Sequence, residues 1–148
     1  MLDKAIICKA IKSELNEKEK RIQLAFDDLN SAITDDSKST AGDKHETGRA
    51  MVHLEQEKLS KQLIQNKQLQ QALQKIDPDN KSERVQFGSL VTTDKGVYFF
   101  SIGLGKITVN GKEIFCLTPI TPLGQKLFDR KKGDTIEFNG HLEILEVQ

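Results

Sequence analysis

Leu15, Ile22 and Leu29 recur every seven residues, and Ile11, Ala25, Phe26, Ala32 and Ile33 fill much of the adjoining stripe. A seven-residue apolar repeat describes an amphipathic helix that cannot bury its stripe alone, so a partner helix has to be found. The return stretch offers one. Met51, Leu54, Leu59, Leu63, Leu69, Leu73 and Ile76 form a less regular stripe on a strongly helix-forming background, with Lys58, Lys61 and Gln62 between. The short polar segment Thr34–Thr40 separates the two stretches and is too small to be a domain of its own. Heptads also make parallel dimers, but this polar break favours an antiparallel hairpin within one chain. Two helices of about 30 residues would extend about 45 Å.

A second kind of pattern starts after Asp77-Pro78-Asp79-Asn80-Lys81-Ser82. Eight of the ten glycines and seven of the eight aromatic residues lie beyond this cluster, so composition places a domain boundary there. Val85–Val91 alternates apolar with polar or small residues, and Thr93-Asp94-Lys95-Gly96 turns into Val97–Ile102. Asn110-Gly111 precedes Glu113–Leu117, and Asn139-Gly140 joins Thr135–Phe138 to Leu142–Val147, both in the manner of tight hairpins. Pro122–Phe128 reads as one short helix with Thr121 as N-cap and Pro122 at its first position. The expected fold class is therefore α+β, with a helical hairpin over 1–77, a linker over 78–84, and a small antiparallel sheet domain with one short helix over 85–148.

Lys plus Arg and Asp plus Glu each number 22, so no global field draws the chain to nucleic acid or to basic partners. The N-terminal 20 residues mix charged and apolar positions, unlike a signal peptide or a membrane span, and a cytoplasmic protein without membrane contact is expected. Cys8 and Cys116 lack CxxC spacing and read as structural, reduced thiols. His45 and His53 are eight residues apart, which departs from the one-turn spacing of a zinc pair. Asp43 and Glu46 stand three residues apart at the hairpin tip. That spacing also suits a capping box, in which Asp43 caps the second helix. Lys44, His45 and Arg49 add positive charge around the tip.

Gly42-Asp43-Lys44-His45-Glu46 at the tip, Phe87-Gly88-Ser89-Leu90-Val91 opening the sheet, and Thr121–Leu127 before Lys132-Gly133-Asp134-Thr135-Ile136 occur in an order that resembles the GreA/GreB transcript-cleavage factors. The resemblance runs along most of the chain. It implies an N-terminal antiparallel coiled coil and a C-terminal domain similar in fold to FK506-binding proteins. It also implies docking on RNA polymerase, with the coiled coil in the secondary channel and the tip at the RNA 3′ end. On that resemblance, Asp43 and Glu46 would share a magnesium ion with the polymerase, which itself cleaves backtracked RNA. The chain would then be an activating factor, not an autonomous enzyme, and would hold no cofactor stably alone. Pro122 and Leu123 match the segment that contacts the polymerase, Lys44, His45 and Arg49 would lie near RNA, and DNA would be met only indirectly. A monomer is expected.

The sequence departs from the family at Thr47-Gly48-Arg49-Ala50, which lacks the usual aromatic support, and at Ile120, where a polar residue is usual. Asp35 and Asp36 add further acids near the tip, which leaves open a relative that enters the channel to regulate or inhibit. Two other classes stand beside this one. A peptidyl-prolyl isomerase would need an aromatic-lined pocket, which a chain with no Trp and one Tyr is poorly equipped to build. A coiled-coil adaptor would form a parallel dimer and ignore polymerase.

Overall fold

The computed structural model describes residues 3–36 and 42–148, with the backbone alone for 33–36 and 42–47. The architecture is α+β. Two helices, α1 (Lys4–Asp36) and α2 (Gly42–Gln74), are followed by six strands and a short third helix. Each long helix has 33 residues, about 50 Å of axis.

The chain divides into two compact units, and the division cuts through both helices. One unit is Ser13–Gln70, and the other joins Met1–Lys12 to Gln71–Gln148. Within Ser13–Gln70, hydrogen bonds join Leu15 to Asn66, Asn16 and Glu19 to Gln70, and Asn30 to Gln56. From Asn16–Gln70 to Asn30–Gln56 the number rises on α1 and falls on α2, which makes the pairing antiparallel. Leu15 and Ile22 are buried and Leu29 half-buried, as the heptad requires. On α2 the buried line is Leu59, Asn66 and Leu73, whereas Met51 and Leu54 point to solvent. The expected α2 stripe is thus rotated at its start, because the seam uses polar residues that an apolar pattern passes over.

In the larger unit the strands are β1 (Leu90–Thr93), β2 (Gly96–Phe100), β3 (Gly105–Val109), β4 (Lys112–Leu117), β5 (Thr135–Glu137) and β6 (His141–Val147). Their order in the sheet is β3-β4-β2-β1-β6-β5. Four of the neighbouring pairs are antiparallel, and β2 and β4 are parallel. The sheet is accordingly mixed, not purely antiparallel. The β3–β4 hairpin folds back and sets its second strand against β2, a long-range pairing that no local turn signal encodes.

Both Asn-Gly turns form. Asn110 and Gly111 have φ of 51° and 78°, and Asn139 and Gly140 have 53° and 109°, the left-handed conformations that the tight hairpin turn demands. The expected strand at Val85–Val91 is regular only from Leu90. A turn interrupts it: the Ser89 amide donates to the Gln86 carbonyl, the Gln86 amide donates to Ser89 Oγ, and Gly88 takes φ of 93°. Helix α3 (Pro122–Leu127) starts as expected, with Thr121 Oγ1 accepting from the Gly124 amide at 3.0 Å and Pro122 in the first turn. Its Leu127 joins Val85, Val91, Phe100, Leu117, Ile136, Leu142 and Ile144 in one buried cluster against the sheet. Leu90, Phe99 and Ile114, on the other face, are also fully buried.

Candidate functional site

Helix α2 is already helical at Gly42, which puts Asp43 and Glu46 inside its first turns. Residues three apart share a helix face, so the backbone sets both positions on one side of α2. The N-terminal turns of a helix also carry the positive end of its dipole, which favours carboxylates there on purely local grounds. A capping Asp stands outside the helix, and Asp43 stands within it. The side chains of Asp43, Lys44, His45 and Glu46 lie outside the described residues. Arg49 is described and exposed on α2.

The seam beneath these positions is laced with amides. Gln70 Nε2 donates to Glu19 Oε2 at 2.7 Å and to Asn16 Oδ1 at 3.1 Å, and Gln56 Nε2 donates to Asn30 Oδ1 at 2.7 Å. Asn66 Nδ2 donates to the Leu15 carbonyl at 2.9 Å. These residues were not legible as functional from composition, since Gln and Asn on a helix ordinarily face water. Only the placement of Asn66 seven residues from both Leu59 and Leu73 signals otherwise.

The second candidate surface is an open groove of about 390 Å³ on the larger unit, and it contains both residues expected to bind a partner. Pro122 and Leu123 line it together with Tyr98, Phe115, Leu117 and Phe138. Pro122 is exposed, whereas Leu123 is half-buried and packs against the core cluster. Tyr98 and Phe115 stack with ring centroids 5.7 Å apart and planes at 29°. Burial raises the Tyr98 hydroxyl pKa above its ordinary value, and the Asp94 carboxylate adds to the rise. Ile120, just before the helix, is 83% exposed. The aromatic lining is better than the residue count suggested, because β2 and β4 bring their rings side by side through the parallel pairing.

No family model, curated protein or solved structure matches the chain. Among the described residues no three His, Cys, Asp or Glu side chains converge as a metal site, and no helix is long and apolar enough to cross a membrane. The two surfaces therefore carry the functional argument by their own chemistry.

Proposed function

We propose that this chain is a cytoplasmic, monomeric RNA polymerase factor that enters the secondary channel with its helical hairpin and stimulates cleavage of backtracked RNA. The observation that carries the reading is the start of α2 at Gly42, which sets Asp43 and Glu46 on one face of a helix paired antiparallel with α1. Pro122 and Leu123, in an apolar groove with stacked aromatic rings, support docking on the polymerase. The C-terminal unit would be an FKBP-like module used for binding alone, since a fold does not bring an active site with it.

Two carboxylates are hard oxygen donors and fit part of a magnesium site, which Asp43 and Glu46 would complete only together with polymerase carboxylates, water and RNA phosphate. What the ion supplies when bound is charge stabilisation of the attacking and leaving oxygens of phosphodiester hydrolysis. Asp43 and Glu46 orient and hold, Lys44, His45 and Arg49 attract RNA phosphate in a salt-sensitive way, and DNA is not contacted directly. No autonomous nuclease activity is expected from the isolated chain.

One observation favours a second reading, a regulator that occupies the channel without promoting cleavage. α1 ends on Asp35-Asp36 with no basic residue in its last turn, which puts two negative charges at the negative end of the helix dipole. Acids retained against that local cost suit a tip that competes for metal or repels RNA.

The deciding measurement is RNA 3′-end shortening in stalled, backtracked elongation complexes, with the native protein and with Asp43→Ala/Glu46→Ala. Shortening by the native protein alone, with polymerase binding of the variant within a few fold, supports cleavage, because phosphoryl transfer depends on the placement of charge more than on bulk affinity. Equal shortening by both proteins removes the carboxylate role. Binding without shortening moves the chain to the regulator, and no binding revives the adaptor.

A further inference from the structure

Strand β3 forms one border of the sheet, and its outer backbone is unclaimed. In a two-residue hairpin the closing pair, here Val109 and Lys112, exchanges both hydrogen bonds, and every second residue along the strand repeats the pattern. Gly105, Ile107 and Val109 therefore bond to β4, while Lys106 and Thr108 turn their N–H and C=O groups outward. Among the described residues no backbone hydrogen bond reaches those outward groups. The opposite border is guarded: β5 has three residues, and Lys126 Nζ takes the Glu137 carbonyl. β3 has five residues, no proline and no break in register, and its Lys106 is neutralised by Glu113 at 2.8 Å.

A free edge alone names no ligand, but the apolar groove beside this one does. Gly103 and Gly105 line the groove at the start of β3, and Tyr98 and Phe115 lie within it. A Cβ at Gly105 would meet nothing within 4 Å, so the way from the edge to the rings is open. Glu113 stands opposite Thr108, so its bond draws Lys106 toward the hairpin turn and away from that opening. Phe115, opposite Lys106, is left 39% exposed. Among the described residues lining the groove none is charged, which suits an apolar side chain. A second copy of this chain does not supply one. Two β3 edges paired antiparallel, Lys106 against Thr108, satisfy every outward group, yet the residue brought to the opening is then the second copy's polar Asn110.

We propose that β3 accepts an extended segment of a partner protein as a further strand, bonded to Lys106 and Thr108, with one apolar side chain of that segment in the Tyr98–Phe115 groove. In such additions the main-chain bonds supply affinity and the groove supplies selectivity. That the partner is RNA polymerase rests on the proposed function; the strand addition does not.

The test uses the full, isotope-labelled chain and short peptides that alternate Thr with Lys or Glu and carry one Phe, Leu or Ile at a central position. Saturating peptide should slow amide exchange at Lys106 and Thr108 about tenfold and shift the Phe115 ring resonances. Peptides N-methylated at alternate residues keep their side chains but lose the donors, and should do neither. Thr108→Pro removes an outward N–H that no ladder bond uses, so this variant should melt as the native chain does and lose the response. Unchanged exchange at both amides with every peptide overturns the inference, as does an equal response to the N-methylated set. Protection of both amides in the peptide-free chain at twice the monomer mass overturns it in favour of a second copy. The peptides report without polymerase, so failed capture of polymerase would remove the proposed function and leave the strand addition standing.

Discussion

Lys4 Nζ donates to the Gly88 carbonyl at 2.9 Å, joining residues 84 apart in sequence, and reaches the Asn80 carbonyl at 2.7 Å with the same ammonium. The lysine is 5% exposed, and burial lowers its pKa from the ordinary value. It thereby ties the first turn of α1 to the segment that leads into β1. Lys4→Met keeps the aliphatic stem and removes both donors, leaving two carbonyls short of a partner. The expected loss is about 2–3 kcal/mol, read from the urea midpoint at constant m-value. An unchanged midpoint would mean that water replaces the ammonium fully.

Gly124 is required by space. A Cβ at this position in α3 would lie 2.0 Å from the Thr118 carbonyl oxygen and 2.7 Å from Thr121 Oγ1, the capping atom. Backbone cannot yield as a flexible side chain does, so Gly124→Ala should cost ~3 kcal/mol and displace the cap. Thermal unfolding with near-ultraviolet dichroism measures both effects, and a variant as stable as the native protein would contradict the packing described.

On the proposed function, substitutions at Pro122 and Leu123 should separate binding from folding. Because Pro122 is exposed, Pro122→Ala should leave the melting curve unchanged while weakening capture of purified RNA polymerase several-fold. Leu123→Glu should weaken capture more and also lower stability, since Leu123 packs on the core cluster. Native-like capture by both variants would place the docking surface elsewhere.

Tyr98 links the groove to pH. Its hydroxyl pKa is raised in the folded chain, so between the unfolded value near 10 and the raised folded value the native state holds a proton that the unfolded state has lost. Stability contributed by this group is therefore present below pH 10 and is lost as pH rises through that window. Tyr98→Phe should flatten this part of the profile, measured as the difference in unfolding free energy between the two proteins from pH 8 to 11. Parallel profiles would show that the hydroxyl is equally solvated in both states.

The local devices of this fold are written plainly in the sequence, and the long-range ones are not. Asn110-Gly111, Asn139-Gly140 and the Thr121-Pro122 helix start each announce their geometry within four residues, because the dihedral or cap requirement falls on the residues themselves. Leu15 and Ile22 likewise announce a buried stripe. The parallel pairing of β2 with β4 depends on residues brought together only when β3 folds back, so no short window contains it. Asn66 escapes for a different reason: a hydropathy pattern treats Asn as solvent-facing, and only its seven-residue spacing from Leu59 and Leu73 hints at the seam that its bond to the Leu15 carbonyl establishes. Of the candidate site, the spacing of Asp43 and Glu46 and the placement of Pro122 beside Leu123 are legible, whereas Tyr98 and Phe115 enter the groove through tertiary pairing.

The larger unit is discontinuous, since the chain leaves it at Lys12 and rejoins it at Gln71. During synthesis the segment made first must therefore wait longest for its partners. The cross-helix hydrogen bonds within Ser13–Gln70 join residues 26 to 54 apart, while the first turn of α1 holds out a lysine whose acceptors, at Asn80 and Gly88, lie 76 and 84 residues on and emerge several seconds later at ribosomal rates. Closing the α1–α2 hairpin shortens the effective loop between Lys12 and Gln71, which lowers the entropy cost of joining the two parts of the sheet unit.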